Sequence, residues 1–280
     1  MLFLVRQLIH LLDGGVQVGG DILWRLQEFA GLMYLERREH RASISVTIPP
    51  ESSLELQTGA GATGSSNSEE GAGKLKSDRE IIYVGDPMCS WCWGFYPTLK
   101  QLSAYCTEKV GRFRIVVGGL RPGGGEPWNE EFRNFLRVHW QRVGELTGQP
   151  FGLRLLERDR FNYDTEPACR AVVTARSLLP GVELGFFGAV QREFYVESQD
   201  PAAPEFYSDI CARFGIDSER FLQYFGSDEA VLETQKDFGL ARAWNVTGFP
   251  SVLLRTTDSV AKVASGFSTF EDLRRRIEGN

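Results

Sequence analysis

The chain has 280 residues, of which 42% are hydrophobic, and it carries a formal net charge of −6. A chain of this length and composition can bury a core in one large domain or two modest ones. The negative charge provides no general electrostatic basis for binding nucleic acid or an anionic membrane surface, so neither is expected as a partner.

The cysteine content favours a reducing compartment. Five cysteines are too few and too scattered for a disulfide scaffold, and their odd number leaves at least one without a partner in the chain. We therefore expect a cytoplasmic protein. The five positions are Cys89, Cys92, Cys106, Cys169 and Cys211.

Residues 1–50 form a predicted N-terminal appendage of unknown function. The apolar start MLFLVRQLIHLL contains Arg6, and DGGVQVGGD follows where a signal peptide would have its cleavage site, so no signal peptide is predicted. Residues 51–79 are rich in Gly, Ser, Ala and Glu, a composition typical of a flexible linker. Charges or glycines interrupt every apolar window, so no membrane span is predicted.

The elements become regular after the linker. IIYVGD predicts a buried strand, the segment from Cys92 to about Val110 predicts a helix, and FRIVVGG predicts a second buried strand. Together they form a β-α-β unit, in which the two strands are parallel. Residues 127–239 are predicted to be helical; one helical face there consists of Phe132, Phe135, Leu136, His139 and Val143.

Strand signals return near the end of the chain. PSVLLR and VAKVAS predict an antiparallel pair, and STFEDLRRRIEG predicts a closing helix with a Ser or Thr N-cap. The predicted order is therefore β-α-β, a helical region, and β-β-α.

The stretch DPMCSWCWGF places Cys89 where the first strand meets the first helix. Unpaired N–H groups and the positive end of a helix dipole favour a thiolate, and such surroundings lower a cysteine pKa from about 8.5 to roughly 3.5–7.5. Cys89 is thus the predicted nucleophile. Cys92, one turn further on and less exposed, is positioned to attack a mixed disulfide formed on Cys89.

Two structural alternatives fit the C-x-x-C spacing less well. Zinc usually takes four ligands, and the sequence has no second paired motif, so no metal site is predicted. A permanent bridge between Cys89 and Cys92 would close a very short loop and remove little unfolded-state entropy. The other three cysteines are interpreted as small buried hydrophobic residues.

The second element of the predicted site is NVTGFPSVLL, in which Pro250 directly precedes a strand. Proline donates no hydrogen bond to a strand ladder, and X-Pro bonds adopt the cis form at little cost. The order of these elements is similar to the plan of thioredoxin-fold proteins. It consists of a strand, a helix with the C-x-x-C motif, a second strand, a helical insert, and a Gly-Phe-Pro loop before a hairpin and a last helix.

The chain resembles the DsbA-like branch of that fold, in which a helical domain is inserted. DPMCSWCWGF, VVGGLRP, FNYDTEPACRAV and REFYVE look like bacterial protein-disulfide isomerases of DsbA type with a CSWC-like motif. The resemblance covers about residues 80–280. It implies an α/β thioredoxin-like domain formed by residues 80–126 and 240–280, with residues 127–239 as the helical insertion.

The resemblance also implies roles for individual residues. Cys89 would be the nucleophile, Cys92 the resolving thiol, and Phe249-Pro250 a cis-proline loop that lies against the dithiol and pairs with a substrate backbone. Ser90-Trp91 lacks the histidine of strongly oxidising DsbA proteins, so their redox potential is not implied.

Several neighbouring residues have two interpretations each. Trp91 and Trp93 could form an apolar rim for a substrate or pack the helix. Asp86 could move a proton at Cys92 or, as is more common for a carboxylate beside a proline, form a turn with Pro87. Glu166 lies in the acidic first turn of a predicted helix after Thr165, and the resemblance implies that this turn lies near the dithiol.

The leading prediction is a thiol-disulfide oxidoreductase or isomerase that acts on protein or small-molecule disulfides. It needs no bound cofactor, only an external thiol such as glutathione or a redox partner protein. A glutathione-dependent isomerase or transferase on the same fold is one alternative, although the retained Cys92 argues against it. The other is a non-catalytic, chaperone-like binding module with an apolar cleft around Trp91 and Phe249.

Overall fold

The computed structural model describes residues 79–279. The predicted appendage, residues 1–50, and the predicted linker up to residue 78 lie outside the described residues. Within residues 79–279, no helix is both long enough and apolar enough to cross a membrane.

Four strands form one mixed sheet. They are β1 (Glu80–Gly85), β2 (Arg112–Val117), β3 (Ser251–Arg255) and β4 (Val260–Ser265). Their order across the sheet is β2-β1-β3-β4. β1 pairs in parallel with β2, and β3 pairs antiparallel with both β1 and β4. The predicted parallel β-α-β unit and the predicted antiparallel pair are therefore confirmed.

Helices surround this sheet. They are α1 (Ser90–Tyr105), α2 (Glu130–Thr147), α3 (Glu166–Leu178), α4 (Glu183–Tyr195), α5 (Ser208–Phe214), α6 (Ser218–Phe225), α7 (Asp228–Ala243) and α8 (Phe270–Glu278). A π-helical turn, Cys106–Val110, continues α1, and short 3-10 turns occur at Arg154–Glu157 and Pro204–Tyr207. The Thr269 hydroxyl accepts the Asp272 N–H at the start of α8, which confirms the predicted cap.

The alternation of side chains along β1 divides the core between the two faces of the sheet. Ile81 and Tyr83 enter the main cluster, which also contains residues of α1 and α8. Ile82 and Val84 enter a smaller cluster with Ala241 of α7. Because both faces are covered, β1 is apolar throughout its centre, as is typical of a buried central strand.

The helical character predicted for residues 127–239 is observed. The predicted boundary at residue 239, however, falls inside α7, because Asp228–Ala243 is one continuous helix. Ala241, near its end, packs on the sheet, so α7 joins the inserted helices to the strands.

The outer edge of β2 is bound by side chains from α3 and α7. The Val117 N–H donates to the Asp237 carboxylate at 3.1 Å. Arg176 donates to the Ile115 carbonyl at 3.0 Å and to the same carboxylate at 3.1 Å. Arg114 approaches Asp237 at 3.7 Å. An ion pair thus satisfies backbone groups that an exposed edge strand would offer to another chain.

We expect Asp237→Ala to destabilise the fold by about 3 kcal/mol, because Arg176 and the Val117 N–H would lose a buried partner. The control is Arg114→Ala, since this side chain is 35% exposed and its loss should cost less than about 1 kcal/mol. Urea unfolding midpoints at constant m-value measure both effects. Equal losses for the two variants would show that Asp237 does not hold this edge.

Candidate functional site

Cys89 is the N-cap residue of α1, in extended conformation with φ −87° and ψ 119°. Its N–H donates to the Asp86 carbonyl at 3.1 Å, and its carbonyl accepts the Trp93 N–H at 3.0 Å. The chain therefore turns sharply from β1 into α1 over the four residues 86–89. This turn holds the Cys89 sulfur at the positive, amino-terminal end of the helix.

Cys92 lies in the first turn of α1 and is fully buried, with 0% exposure. Cys89 is 3% exposed, so Cys92 is the less exposed of the two, as predicted, although Cys89 is itself buried. The Phe249 carbonyl, 3.7 Å from the Cys89 sulfur, occupies part of the space beside it. All five cysteines are buried.

The loop before β3 reaches the dithiol from 160 positions away. The Phe249-Pro250 peptide bond is cis. The Pro250 carbonyl accepts the Gly266 N–H at 2.7 Å, and the Ser251 hydroxyl donates to the Gly248 carbonyl at 2.7 Å. These bonds fix the loop in the position from which the Phe249 carbonyl faces Cys89.

The Phe249 ring lies against Gly118, directly after β2. A Cβ atom added to Gly118 would overlap three atoms of that ring. The absence of a side chain at residue 118 therefore lets the loop after β2 and the proline loop pack together beside Cys89.

Asp86 is a buried carboxylate that joins three segments. It accepts the Met88 N–H at 2.8 Å in its own turn and the Leu120 N–H at 2.6 Å in the loop after β2. The Cys169 thiol of α3 donates to it at 3.3 Å. Burial raises the pKa of Asp86, while the backbone donors oppose that rise. The turn-forming interpretation of Asp86 agrees with these contacts, which also extend beyond the turn.

Glu166 forms an ion pair with Arg170 at 2.9 Å on α3. Burial raises the pKa of Glu166, and Arg170 opposes this rise. The adjacent residue, Thr165, connects this helix to the loop after β2, because its hydroxyl accepts the Arg121 N–H at 2.9 Å. The proximity of this turn to the site is therefore seen in the Thr165 contact, whereas the contact described for Glu166 itself is its ion pair with Arg170.

The two tryptophans of the motif differ in their contacts. Trp93 stacks with Tyr195, and its indole N–H donates to the Pro150 carbonyl at 2.9 Å, so it packs α1 against the inserted helices. Trp91 is 2% exposed. Its ring contacts His139 and Phe267 at centroid distances of 6.0 and 6.1 Å.

Sequence reasoning missed two tyrosines that hold the residue before Cys89. The hydroxyls of Tyr163 and Tyr195 donate to the Met88 carbonyl at 2.9 and 2.6 Å. Both tyrosines occur in segments that carry the family resemblance, FNYDTEP and REFYVE, but nothing local in those segments indicates a bond to Met88.

No group of three or more potential metal ligands occurs among the residues that the structure describes. What the arrangement offers chemically is two sulfurs, a helix amino terminus, and a backbone carbonyl facing the first sulfur.

Comparison with known proteins relates this geometry to solved structures. No family model matches the chain. A candidate protein disulfide isomerase from Nitrosomonas europaea is 33% identical with a TM-score of 0.67, over 72% of this chain and 97% of that one. The cytosolic disulfide reductase DsbM from Pseudomonas aeruginosa is 24% identical with a TM-score of 0.58, over 71% and 97% of the two chains.

A curated relative has a different designation. The ClpXP adapter protein SpxH of Halalkalibacterium halodurans is 23% identical over 194 residues, or 66% of this chain. The chain spans 61% of the length of that relative.

The structure has a four-stranded mixed sheet whose central strand leads into the dithiol helix, and a proline loop lies opposite that helix. This arrangement defines a thioredoxin-like fold with an inserted helical region. The chain belongs to the DsbA-like thioredoxin-fold family, as the 33% identical structure matched over nearly its whole length shows. At the level of the family, these proteins are thiol-disulfide oxidoreductases.

We expect Gly118→Ala to displace the Phe249 ring, lower stability by about 1–3 kcal/mol through overpacking, and speed alkylation of Cys89 as the Phe249 carbonyl moves away. Gly239→Ala is the control, because a Cβ atom at that position in α7 meets nothing within 4 Å. It should gain up to about 1 kcal/mol of stability from helix propensity. Urea unfolding measures the stability of both variants, and mass-resolved alkylation measures the reactivity of Cys89. An unchanged rate of Cys89 alkylation in Gly118→Ala would contradict this packing.

Proposed function

We propose that the protein is a thiol-disulfide oxidoreductase that exchanges disulfides through Cys89 and Cys92. The observation that carries the proposal is the position of the Cys89 sulfur. It lies at the amino end of α1, 3.7 Å from the carbonyl of the residue that precedes Pro250. A sulfur in that position combines thiolate stabilisation with a neighbouring backbone able to align a second chain.

In the reducing direction, the Cys89 thiolate attacks one sulfur of a substrate disulfide. A bond forms between Cys89 and that sulfur, and the other substrate sulfur leaves as a thiolate. Cys92, deprotonated, then attacks Cys89, which forms the Cys89–Cys92 disulfide and releases the second substrate thiolate. The substrate gains two electrons and the dithiol loses two; the oxidising direction is the reverse.

Substrate contacts are assigned to Trp91, Phe249 and Pro250. Pro250 precedes β3, and the backbone of the loop is available to pair with an extended peptide as an added strand would. Trp91 is buried against His139 and Phe267, so its proposed contribution is to hold the apolar surroundings of the dithiol. The substrates are disulfide- or thiol-containing proteins or small molecules. Asp86 and Glu166 are auxiliary residues in the proposal, with Asp86 acting by holding the turn before Cys89.

The cycle closes with an external thiol, glutathione or a redox partner protein, and uses no bound cofactor. DsbM, whose fold this chain shares, has been solved with GSH, which supports glutathione as the first thiol to test. A cytoplasmic location is part of the proposal, supported by the small, odd number of cysteines and by the cytosolic designation of DsbM.

A second candidate function is recruitment of a protein partner without redox chemistry. The observation that favours it is the similarity to a ClpXP adapter protein. If recruitment is the function, binding of a partner should persist in Cys89→Ala and Cys92→Ala, whereas the oxidoreductase would lose turnover in both.

The direct test is an equilibrium redox titration of the purified chain against glutathione buffers, followed by alkylation and mass. We expect a reversible two-electron midpoint between those of thioredoxin, about −270 mV, and DsbA, about −120 mV. Cys92→Ser should instead accumulate a mixed disulfide on Cys89.

Cys211 serves as an internal control for the same titration. Burial raises the pKa of Cys211 to about 11, so its thiol should stay protonated and react slowly at pH 7. The absence of a Cys89–Cys92 disulfide in every buffer would reject the oxidoreductase. Full turnover by Cys92→Ser with tight glutathione binding would instead identify a glutathione-dependent isomerase or transferase.

A further inference from the structure

A buried tyrosine side chain lies against the dithiol helix. Tyr83, in the middle of β1, is fully buried. Its ring stacks on Phe95, one turn after Cys92 on α1, with a centroid distance of 5.8 Å and an interplanar angle of 2°. Phe187 of α4 meets the same ring edge-on at 5.8 Å. The ring is therefore fixed between the strand and two helices.

The hydroxyl of Tyr83 extends along β1 towards the dithiol. A Cβ atom added to Gly85 would overlap the hydroxyl oxygen, so the glycine leaves room for it. Among the residues that the structure describes, no group completes a hydrogen bond of good geometry with this hydroxyl. A buried hydroxyl without a partner costs free energy, and such a group in a native protein calls for an explanation.

The groups that face this hydroxyl are those of the dithiol site. Burial raises the pKa of Tyr83 well above its usual range, and the adjacent Cys92 sulfur raises it further, followed by Cys89 and Asp86. Each of these groups would be negatively charged when deprotonated, so the Tyr83 hydroxyl keeps its proton. It is therefore a hydrogen-bond donor next to a sulfur whose charge changes during disulfide exchange.

We propose that the Tyr83 hydroxyl turns to donate a hydrogen bond to the Cys92 sulfur as the Cys89–Cys92 bond opens and negative charge develops on that sulfur, and that this bond stabilises the open state over the disulfide. The inference rests on the proposed function, because it assigns a partner to the resolving sulfur. Its physical basis is that Cys92 is fully buried and has no access to water that could solvate a thiolate.

The step in which the donor acts is the opening of the protein disulfide. An incoming thiolate attacks Cys89, a new sulfur–sulfur bond forms there, and the Cys89–Cys92 bond breaks with its electron pair remaining on Cys92. The Cys92 thiolate accepts the hydrogen bond from Tyr83, whose proton stays on oxygen. In the disulfide, Cys92 carries no charge, and the hydroxyl has no comparably strong acceptor.

The test compares Tyr83→Phe with wild type and with Tyr207→Phe. Tyr207 is also fully buried, but its hydroxyl already donates to the Pro201 carbonyl at 2.6 Å. We expect Tyr83→Phe to shift the equilibrium with glutathione about tenfold towards the disulfide, which corresponds to about 30 mV for a two-electron couple. It should also slow reduction of the protein disulfide by a small dithiol. Tyr207→Phe should lower stability but leave the redox equilibrium unchanged.

The outcomes separate this inference from the proposed function. Absence of a reversible disulfide in wild type would reject the oxidoreductase itself. A reversible wild-type disulfide with an equilibrium in Tyr83→Phe within twofold of wild type, and an equal rate of reduction, would overturn only the role of Tyr83.

A measurement on the unsubstituted chain covers the case in which Tyr83→Phe does not fold. Wild-type protein labelled with carbon-13 at the tyrosine Cζ should show a resonance that moves between the disulfide and dithiol states, as the hydroxyl gains an acceptor. If no tyrosine Cζ resonance responds to the redox state, the hydroxyl does not bond to Cys92 and the inference fails.

Discussion

The dithiol depends on the turn between β1 and α1, and the Asp86 carboxylate holds that turn. One buried group accepts hydrogen bonds from the turn itself, from the loop after β2 and from α3. Those segments come from distant parts of the chain. Because all three donate to the same carboxylate, Asp86 holds them close to one another. The Met88 carbonyl adds a second anchor through Tyr163 and Tyr195. The carboxylate is buried without a charged partner among its described contacts, and the backbone donors offset part of the cost of that burial.

Much of the sheet could be predicted because its signals are local. The apolar run of β1, the C-x-x-C spacing and the second apolar run lie within one β-α-β unit, and parallel pairing follows from that order. The closing helix begins with a Thr cap that the sequence indicates directly. The candidate site could be predicted from the sequence less completely than the sheet. Cys89 at the start of α1 could be inferred from the spacing, and the approach of Phe249 was implied by the resemblance to DsbA-like proteins.

The remaining features depend on partners far apart in the sequence. Cys169 looked like a small buried hydrophobic residue, yet its thiol donates to Asp86, 83 positions away. Gly118 has no distinguishing neighbour in VVGGLRP, and only the packed Phe249 ring explains why a side chain is absent there. Tyr83 reads as an ordinary aromatic residue of a buried strand. No local pattern indicates which side of the dithiol its hydroxyl approaches.

The bound edge of β2 affects how the sheet can meet other chains. Two of the backbone groups that point outward from this strand are already engaged by Arg176 and Asp237. An extended segment of a foreign polypeptide would have to displace a buried ion pair before it could lengthen the sheet on that side. Under the proposed function, such segments are among the substrates. The ion pair therefore discourages aggregation at that end of the sheet.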